Sequence, residues 1–254
     1  MDGIVLAGAR APQDLAELGI ARVPLLKVRG ETILERTCQA LLGAGCETVY
    51  VLAPEEVPLP ELAGVSRGAY SGDVIRDMFN CLERQSGADS LVGSSADMPL
   101  VNAAAMLELV KAGVLTGADI VYPAVERAAL EKVFPGTKRT YVRLGRQTVT
   151  GGNAVWLNRK WLLKHQDQIW QLFAKRKSIK ELAKFFGIMF FVRILTGFAS
   201  VDYVERHLSW LLDGKLKAVV LSGIELGMDL DKTADLVSLR DYIDPWNGSA
   251  GGGA

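Results

Sequence analysis

Short, mostly apolar runs alternate with longer stretches of helical period through the first half of the chain. The runs at 4–6, 48–52, 90–94 and 119–123 are too short for helices and predict strands, as in a buried parallel sheet. Residues 31–42, 73–84 and 102–112 place apolar side chains near helical spacing. The first of these stops at Gly43-Ala44-Gly45, and Asn102 is the candidate N-cap of the third. Strand–helix alternation of this kind predicts an α/β fold, with a mostly parallel, doubly wound, Rossmann-like sheet flanked by helices.

After Arg127 the pattern changes. Residues 138–144 alternate like a two-faced strand, and Thr150-Gly151-Gly152-Asn153 leads into an apolar strand at 154–157. Residues 161–173, 178–198 and 200–212 predict helices, so a helical insertion spans about 159–213. A late strand at 217–221 and a helix capped by Thr233 and running to Tyr242 follow. Residues 1–247 are expected to form one domain, with a flexible Gly-rich tail at 248–254. The run from Phe185 to Val192 predicts core or subunit interface, and Lys184 and Arg193 at its ends would also suit a shallow interfacial helix.

Charge and cysteine usage narrow the function. Lys and Arg number 29 and Asp and Glu number 29, for a net charge of zero. That argues against general nucleic-acid binding but leaves room for a local anion pocket. Cys38, Cys46 and Cys81 are odd in number and lack CxxC spacing. They argue against a disulfide framework or a structural zinc site and predict a reducing, cytoplasmic home. No basic leader precedes the first strand, and no apolar run reaches the length of a membrane span. His165 and His207 stand alone, and no Ser-His-Asp set, GxSxG, Walker loop or GxGxxG is present.

Several constellations carry candidate chemistry. The first strand ends in Leu6-Ala7-Gly8-Ala9-Arg10, where backbone N–H groups after a strand can form an anion nest and Arg10 adds a fixed charge. The same small residues also suit a plain tight turn. Asp97 follows the strand at 90–94 directly, where a carboxylate suits Mg²⁺ or a turn. Asp229 and Asp231 share one face of an extended segment and repel unless a cation or water lies between them. A helix N-terminus would favour the same acids, and Asp235 is assigned to the helix. Arg139 and Arg143, four apart, are placed on one face of a strand. Gly151-Gly152-Asn153 suits close contact with an acceptor group, or a hairpin corner. Lys175-Arg176-Lys177 reads as a solvated helix end or a phosphate contact.

Four segments in order resemble the MobA-like nucleotidyltransferases. They are Ile4-Val5-Leu6-Ala7-Gly8, then Leu25-Leu26-Lys27-Val28-Arg29-Gly30-Glu31-Thr32-Ile33-Leu34-Glu35-Arg36, then Ala96-Asp97-Met98-Pro99-Leu100, and Asp229-Leu230-Asp231-Lys232-Thr233-Ala234-Asp235-Leu236. Within that group the likeness is greatest to uncharacterised bacterial NTP-transferase-domain proteins, which carry a segment like 134–144 and a Thr-Gly-Gly-Asn. The resemblance implies a glycosyltransferase-A-like fold and an NTP held by Leu6, Ala7, Gly8, Ala9 and Arg10, with Ser71 and Gly72 near the base. It implies Mg²⁺ at Asp97, joined by Asp229 or Asp231.

The implied reaction moves an NMP from an NTP to a phosphorylated acceptor, small or lipid-linked, with release of pyrophosphate. Arg139, Arg143, Gly151, Gly152 and Asn153 would face that acceptor. The insertion would serve a homo-oligomer or protein partner. In one departure, Ala9 replaces the family's second glycine. The signature Lys falls at Val23, with Arg22 beside it and Lys27 displaced, so the expected catalytic set is Arg10, Arg22, Lys27 and Asp97. Loss of one preorganised donor costs roughly a hundredfold or more. Two further readings stay open: a nucleotide-binding or scaffold protein that lost turnover, and a nucleotide-sugar glycosyltransferase.

Overall fold

A computed structural model of the chain describes residues 1–175 and 178–245. Strand β1 (Asp2–Leu6) is followed by α1 (Gln13–Ala16), a 3-10 turn (Val23–Leu25), and a small hairpin of β2 (Lys27–Val28) and β3 (Glu31–Thr32). Then come α2 (Ile33–Gly43), β4 (Thr48–Leu52), β5 (Val65–Arg67), α3 (Val74–Arg84), β6 (Ser90–Ser95), α4 (Ala103–Thr116) and β7 (Ile120–Glu126). The next elements are α5 (Arg127–Val133), β8 (Val142–Leu144), β9 (Gln147–Gly151) and β10 (Ala154–Asn158). A run of helices follows: α6 (Arg159–Lys164), α7 (Gln166–Lys175), α8 (Ile179–Phe186), α9 (Ile188–Leu195) and α10 (Val201–Leu211). Strand β11 (Leu216–Val220) and α11 (Thr233–Leu239) come last.

The central sheet is mixed, in the order β5-β4-β1-β6-β10-β7-β9-β8, with β11 on β7. Its N-terminal half is parallel: β1 runs with both β4 and β6, and β4 with β5. Strand β10 enters antiparallel between β6 and β7. Because successive strand side chains point to opposite faces, Val5 and Ile4 serve different cores. Val5 joins Leu34, Leu41, Met106, Leu109 and Trp156 under α2 and α4. Ile4 joins Phe79, Leu82, Leu91, Leu157 and Trp161 under α3 and α6. A third cluster, including Leu15, Val23, Leu26, Met228, Leu230 and Leu239, ties residues 15–33 to 228–243.

Helix starts follow local side-chain chemistry. Thr32, Asp73, Asn102, Ser178 and Ser200 each accept a backbone N–H at the N-cap of α2, α3, α4, α8 and α10. The expected Thr233 cap is displaced by one residue. Lys232 takes the N-cap position, and Thr233 donates its N–H and Oγ1–H to Asp14 at 2.7 and 3.0 Å. The expected helix over 178–198 is broken at Gly187, whose φ of 89° is the left-handed conformation that favours glycine. Residues 138–141 lie outside any strand, so β8 begins only at Val142. Cys38, Cys46 and Cys81 are free and buried, and burial pushes each thiol up to about 12. No helix among the described residues is long and apolar enough to cross a membrane. The predicted tail at 248–254, residues 246–247 of the predicted domain, and Arg176 and Lys177 lie outside the described residues.

Segments far apart in sequence close on one another around residue 30. Asp244 accepts the N–H groups of Arg29 and Gly30 at 2.9 and 2.5 Å, and Val28 bridges Ile243.

Gly113 of α4 packs directly on β10, where an added Cβ would lie 2.4 Å from the Trp156 ring. Gly113→Val is expected to destabilise the fold by about 1–3 kcal/mol through overpacking. Urea denaturation checks it: the midpoint falls while the slope stays that of the parent.

Candidate active site

The register of β1 decides where the site forms. Leu6 stands level with Leu52 on one side and with Ser95 on the other. The loops after β1 and β6 therefore emerge together, and Ala96 donates its N–H to the Leu6 carbonyl at 3.2 Å. Two more segments are stitched to the same edge by backbone bonds. Leu230 donates to the Asp97 carbonyl at 2.9 Å, Ser95 to Asn153 at 3.0 Å, and Asn153 to Leu226 at 2.8 Å. Gly152 permits that closeness, because a Cβ there would lie 3.1 Å from the Leu226 carbonyl oxygen.

Two adjoining cavities result, and Asp231 lines both. One, of about 160 Å³, is walled by Leu6, Ala9, Arg10, Asp97 and Asp231. Arg10 is exposed there and has no hydrogen-bond partner among the described residues. The other, of about 210 Å³, is walled by Lys138, Arg139, Thr140, Thr150, Gly151, Asn153, Asp229, Asp231 and Lys232.

The acids in these walls are electrostatically costly. Burial pushes the Asp97 carboxyl up to about 6, and the Asp231 charge adds to the rise, against a hydrogen bond from Ser95 Oγ. Asp229 is also raised, first by burial and further by Asp231 and Asp97, while Arg139 opposes the rise. The Arg139 guanidinium pairs with the Asp229 carboxylate, donates to its carbonyl oxygen, and lies 3.4 Å from Asp235. Its buried Nε–H has no hydrogen-bond partner among the described residues. Asp235 serves the turn: its Oδ2 accepts the N–H groups of Asp231 and Lys232, each at 3.1 Å.

Among the described residues no group of three His, Cys, Asp or Glu side chains converges on a metal position. Asp229 is committed to Arg139 instead. Asp97 and Asp231 share a wall of the smaller cavity, and no ion pair among the described residues neutralises either. Two unneutralised carboxylates, one raising the other's pKa, fit Mg²⁺, whose remaining positions go to phosphate oxygens and water.

Other expected residues lie apart from these walls. Arg22 donates to the Gly8 carbonyl and pairs with Glu56, both at 2.7 Å, so it braces the loop after β1. Lys27 is exposed on β2 and lines neither cavity. Arg143 donates to Gly145 at 3.3 Å and lies over Gly197 of the insertion. The expectation that Arg139 and Arg143 share a strand face fails because Arg139 precedes the strand.

Ser71 and Gly72 give their N–H groups to the Asp77 carboxylate, at 2.9 Å for Ser71 and 3.1 Å for Gly72. Beside them the Tyr70 hydroxyl reaches the Gly8 carbonyl at 3.3 Å, and its ring fills the space a Cβ on Gly8 would need. Tyr70, Asp77, Thr140, Thr150 and Lys232 were not legible as site residues. Asp77 carried a signal, as an acid in the first turn of an otherwise amphipathic helix, and Lys232 another, as a lone cation among aspartates.

The MobA-like NTP transferase domain matches over residues 3–186. A structure described as a hypothetical transferase from Thermus thermophilus superposes with a TM-score of 0.74 at 30% identity, covering 92% of this chain and 98% of that one. A nucleotidyl transferase from Methanothermobacter thermautotrophicus superposes with a TM-score of 0.52 at 17% identity, over 94% and 95% of the two chains. The 2-C-methyl-D-erythritol 4-phosphate cytidylyltransferase of Thermus thermophilus does so with a TM-score of 0.55 at 15% identity, over 93% and 96%. The last two likenesses show the fold. No curated protein matches the chain significantly.

The raised pKa of Asp97 sets a stability test. Its ionised form opposes folding, so the cost is absent below about pH 4 and fully present above about pH 6. Asp97→Asn is expected to melt roughly 5 °C above the parent near pH 8 without divalent cation, and level with it near pH 4. Thermal denaturation across pH reads the difference.

Proposed function

The chain belongs to the MobA-like NTP transferase family, and from that premise we propose that it is a Mg²⁺-dependent nucleotidyltransferase. It moves an NMP from an NTP to a phosphorylated acceptor and releases pyrophosphate. The observation that carries the reading is Asp231 on the wall between two cavities, one holding the loop after β1 and Asp97, the other holding Arg139 and Asn153.

In this reading the N–H groups of Gly8 to Arg10 and the exposed Arg10 guanidinium bind the triphosphate, while the Ala7 N–H is taken by the Leu52 carbonyl. Asp97 and Asp231 would hold Mg²⁺, which when bound polarises the α-phosphate and neutralises charge on the departing pyrophosphate. An oxygen of the acceptor phosphate bonds to the α-phosphorus. The bond from that phosphorus to the bridging oxygen breaks, and its electron pair leaves on pyrophosphate. No proton has to move, so the site needs no histidine base. Arg139, Lys232 and Asn153 orient the acceptor, and alignment with electrostatics does the rest.

A second reading has its own observation. Val23, at the signature Lys position, is buried, and Arg22 beside it is already paired with Glu56 and Gly8. A nucleotide-binding protein without turnover fits that loss of a cation.

Thermal denaturation with each of the four NTPs, with and without Mg²⁺, tests the proposal. At a concentration a hundredfold above Kd, the matching NTP with Mg²⁺ is expected to raise Tm by about 5–10 °C. The shift should vanish in Asp97→Ala. With phosphate monoesters as acceptors, pyrophosphate release should follow and fall about 10²–10³-fold in Arg10→Ala. A shift with no pyrophosphate release establishes the second reading. No shift with any NTP overturns both.

A further inference from the structure

Between the sheet and the helices α6 to α10 lies a cavity of about 560 Å³. Protein interiors pack with few voids larger than a water molecule. A space of this size belongs instead to the range of small-molecule sites. Its walls are apolar nearly throughout, with Ile120 and Ala218 from the sheet, Phe190 and Phe191 from α9, and Leu208 from α10. Such a chamber offers water too few hydrogen bonds to hold it, and suits hydrocarbon.

Its position matters as much as its lining. Thr150 and Gly151 line this chamber and also the polar cavity that holds Arg139, Asp229 and Asp231. The apolar space therefore begins where the acceptor side of the site ends. Helix α9 is apolar on both sides. Phe190, Phe191 and Ile194 face the chamber, while Ile188 and Leu195 are 71% and 81% exposed. The chamber's outer wall thus presents hydrocarbon inside and out.

We infer that the acceptor is a phosphorylated amphiphile whose phosphate lies in the Arg139 cavity and whose apolar chain occupies the chamber beneath α9 and α10. The word acceptor rests on the nucleotidyltransferase reading; the ligand class rests on the chamber. The transfer is the one already given. The amphiphile's phosphate oxygen bonds to the α-phosphorus, and the electron pair of the broken bond leaves on pyrophosphate.

Calorimetric titration of the full chain with ethyl phosphate and with decyl phosphate, the latter below its micellar concentration, tests the inference. A buried methylene is worth about fourfold in affinity. Decyl phosphate is expected to bind at least about thirtyfold more tightly than ethyl phosphate, a margin that allows for partial burial. Ala218→Phe, which fills the chamber from the sheet side, should abolish that advantage and leave the NTP-induced thermal shift in place. Leu208→Trp fills it from α10 and serves where the first variant does not fold.

Equal binding of the two esters overturns the inference, as does a decyl advantage that survives both variants. Pyrophosphate release equally efficient with ethyl and decyl phosphate overturns it too, and leaves nucleotidyl transfer standing. Decyl phosphate bound in the chamber with no pyrophosphate release from any NTP sinks nucleotidyl transfer and leaves the ligand class standing.

Discussion

Strand β1 is hydrogen-bonded along both edges, to β4 and to β6, and Leu6 is level with a partner on each side. A slip of one residue would exchange Ile4 and Val5 between the two cores, at the cost of both. The register is therefore held by burial on two faces at once. The position of the Ala7 to Arg10 loop beside Asp97 is a by-product of that packing. The loop needs little help of its own beyond the braces from Arg22 and Tyr70. Even the antiparallel entry of β10 serves the same edge, because it delivers Asn153 to Ser95.

Onto this edge the protein places acids, and burial makes the charges of two of them, Asp97 and Asp229, oppose folding. Three aspartates lie near one another, and among the described residues only Asp229 has a cation of its own. Arg139 removes that acid from the pool and is held in turn by Asp235, which also fixes the backbone of Asp231 and Lys232. The two remaining carboxylates, Asp97 and Asp231, are left without an ion-pair partner among the described residues. A site that is least comfortable when empty is pre-organised for a charged ligand, because the cost of gathering the acids is met during folding.

Much of this was legible in the sequence, and the reason differs from element to element. Buried strands announce themselves by apolar runs, which is why those at β1, β4, β6, β7 and β10 could be read. Caps announce themselves by one side chain, as Asn102 does. Strands of three residues such as β5, or helices of one or two turns such as α5, carry too few positions for a period to show. Arg139 and Asp229 are 90 residues apart, and nothing local signals that they meet. The apolar character of 185–192 was plain, but its division between a chamber wall and an outer surface depends on the break at Gly187. The chamber itself is a space, and spaces have no residue pattern.

The clasp between residues 28–30 and 243–244 bears on how the molecule comes into being. Chains are made from the N-terminus at about 5–20 residues per second. The hairpin of β2 and β3 must therefore wait on the order of ten seconds or more for the segment that fastens it. Asp14 waits almost as long for Thr233. During synthesis the parallel core can close while the region flanking the loop after β1 stays unfastened. An incomplete chain would thus carry a folded sheet and an unfinished candidate site, because Asp229, Asp231 and the clasp at Asp244 are all added last.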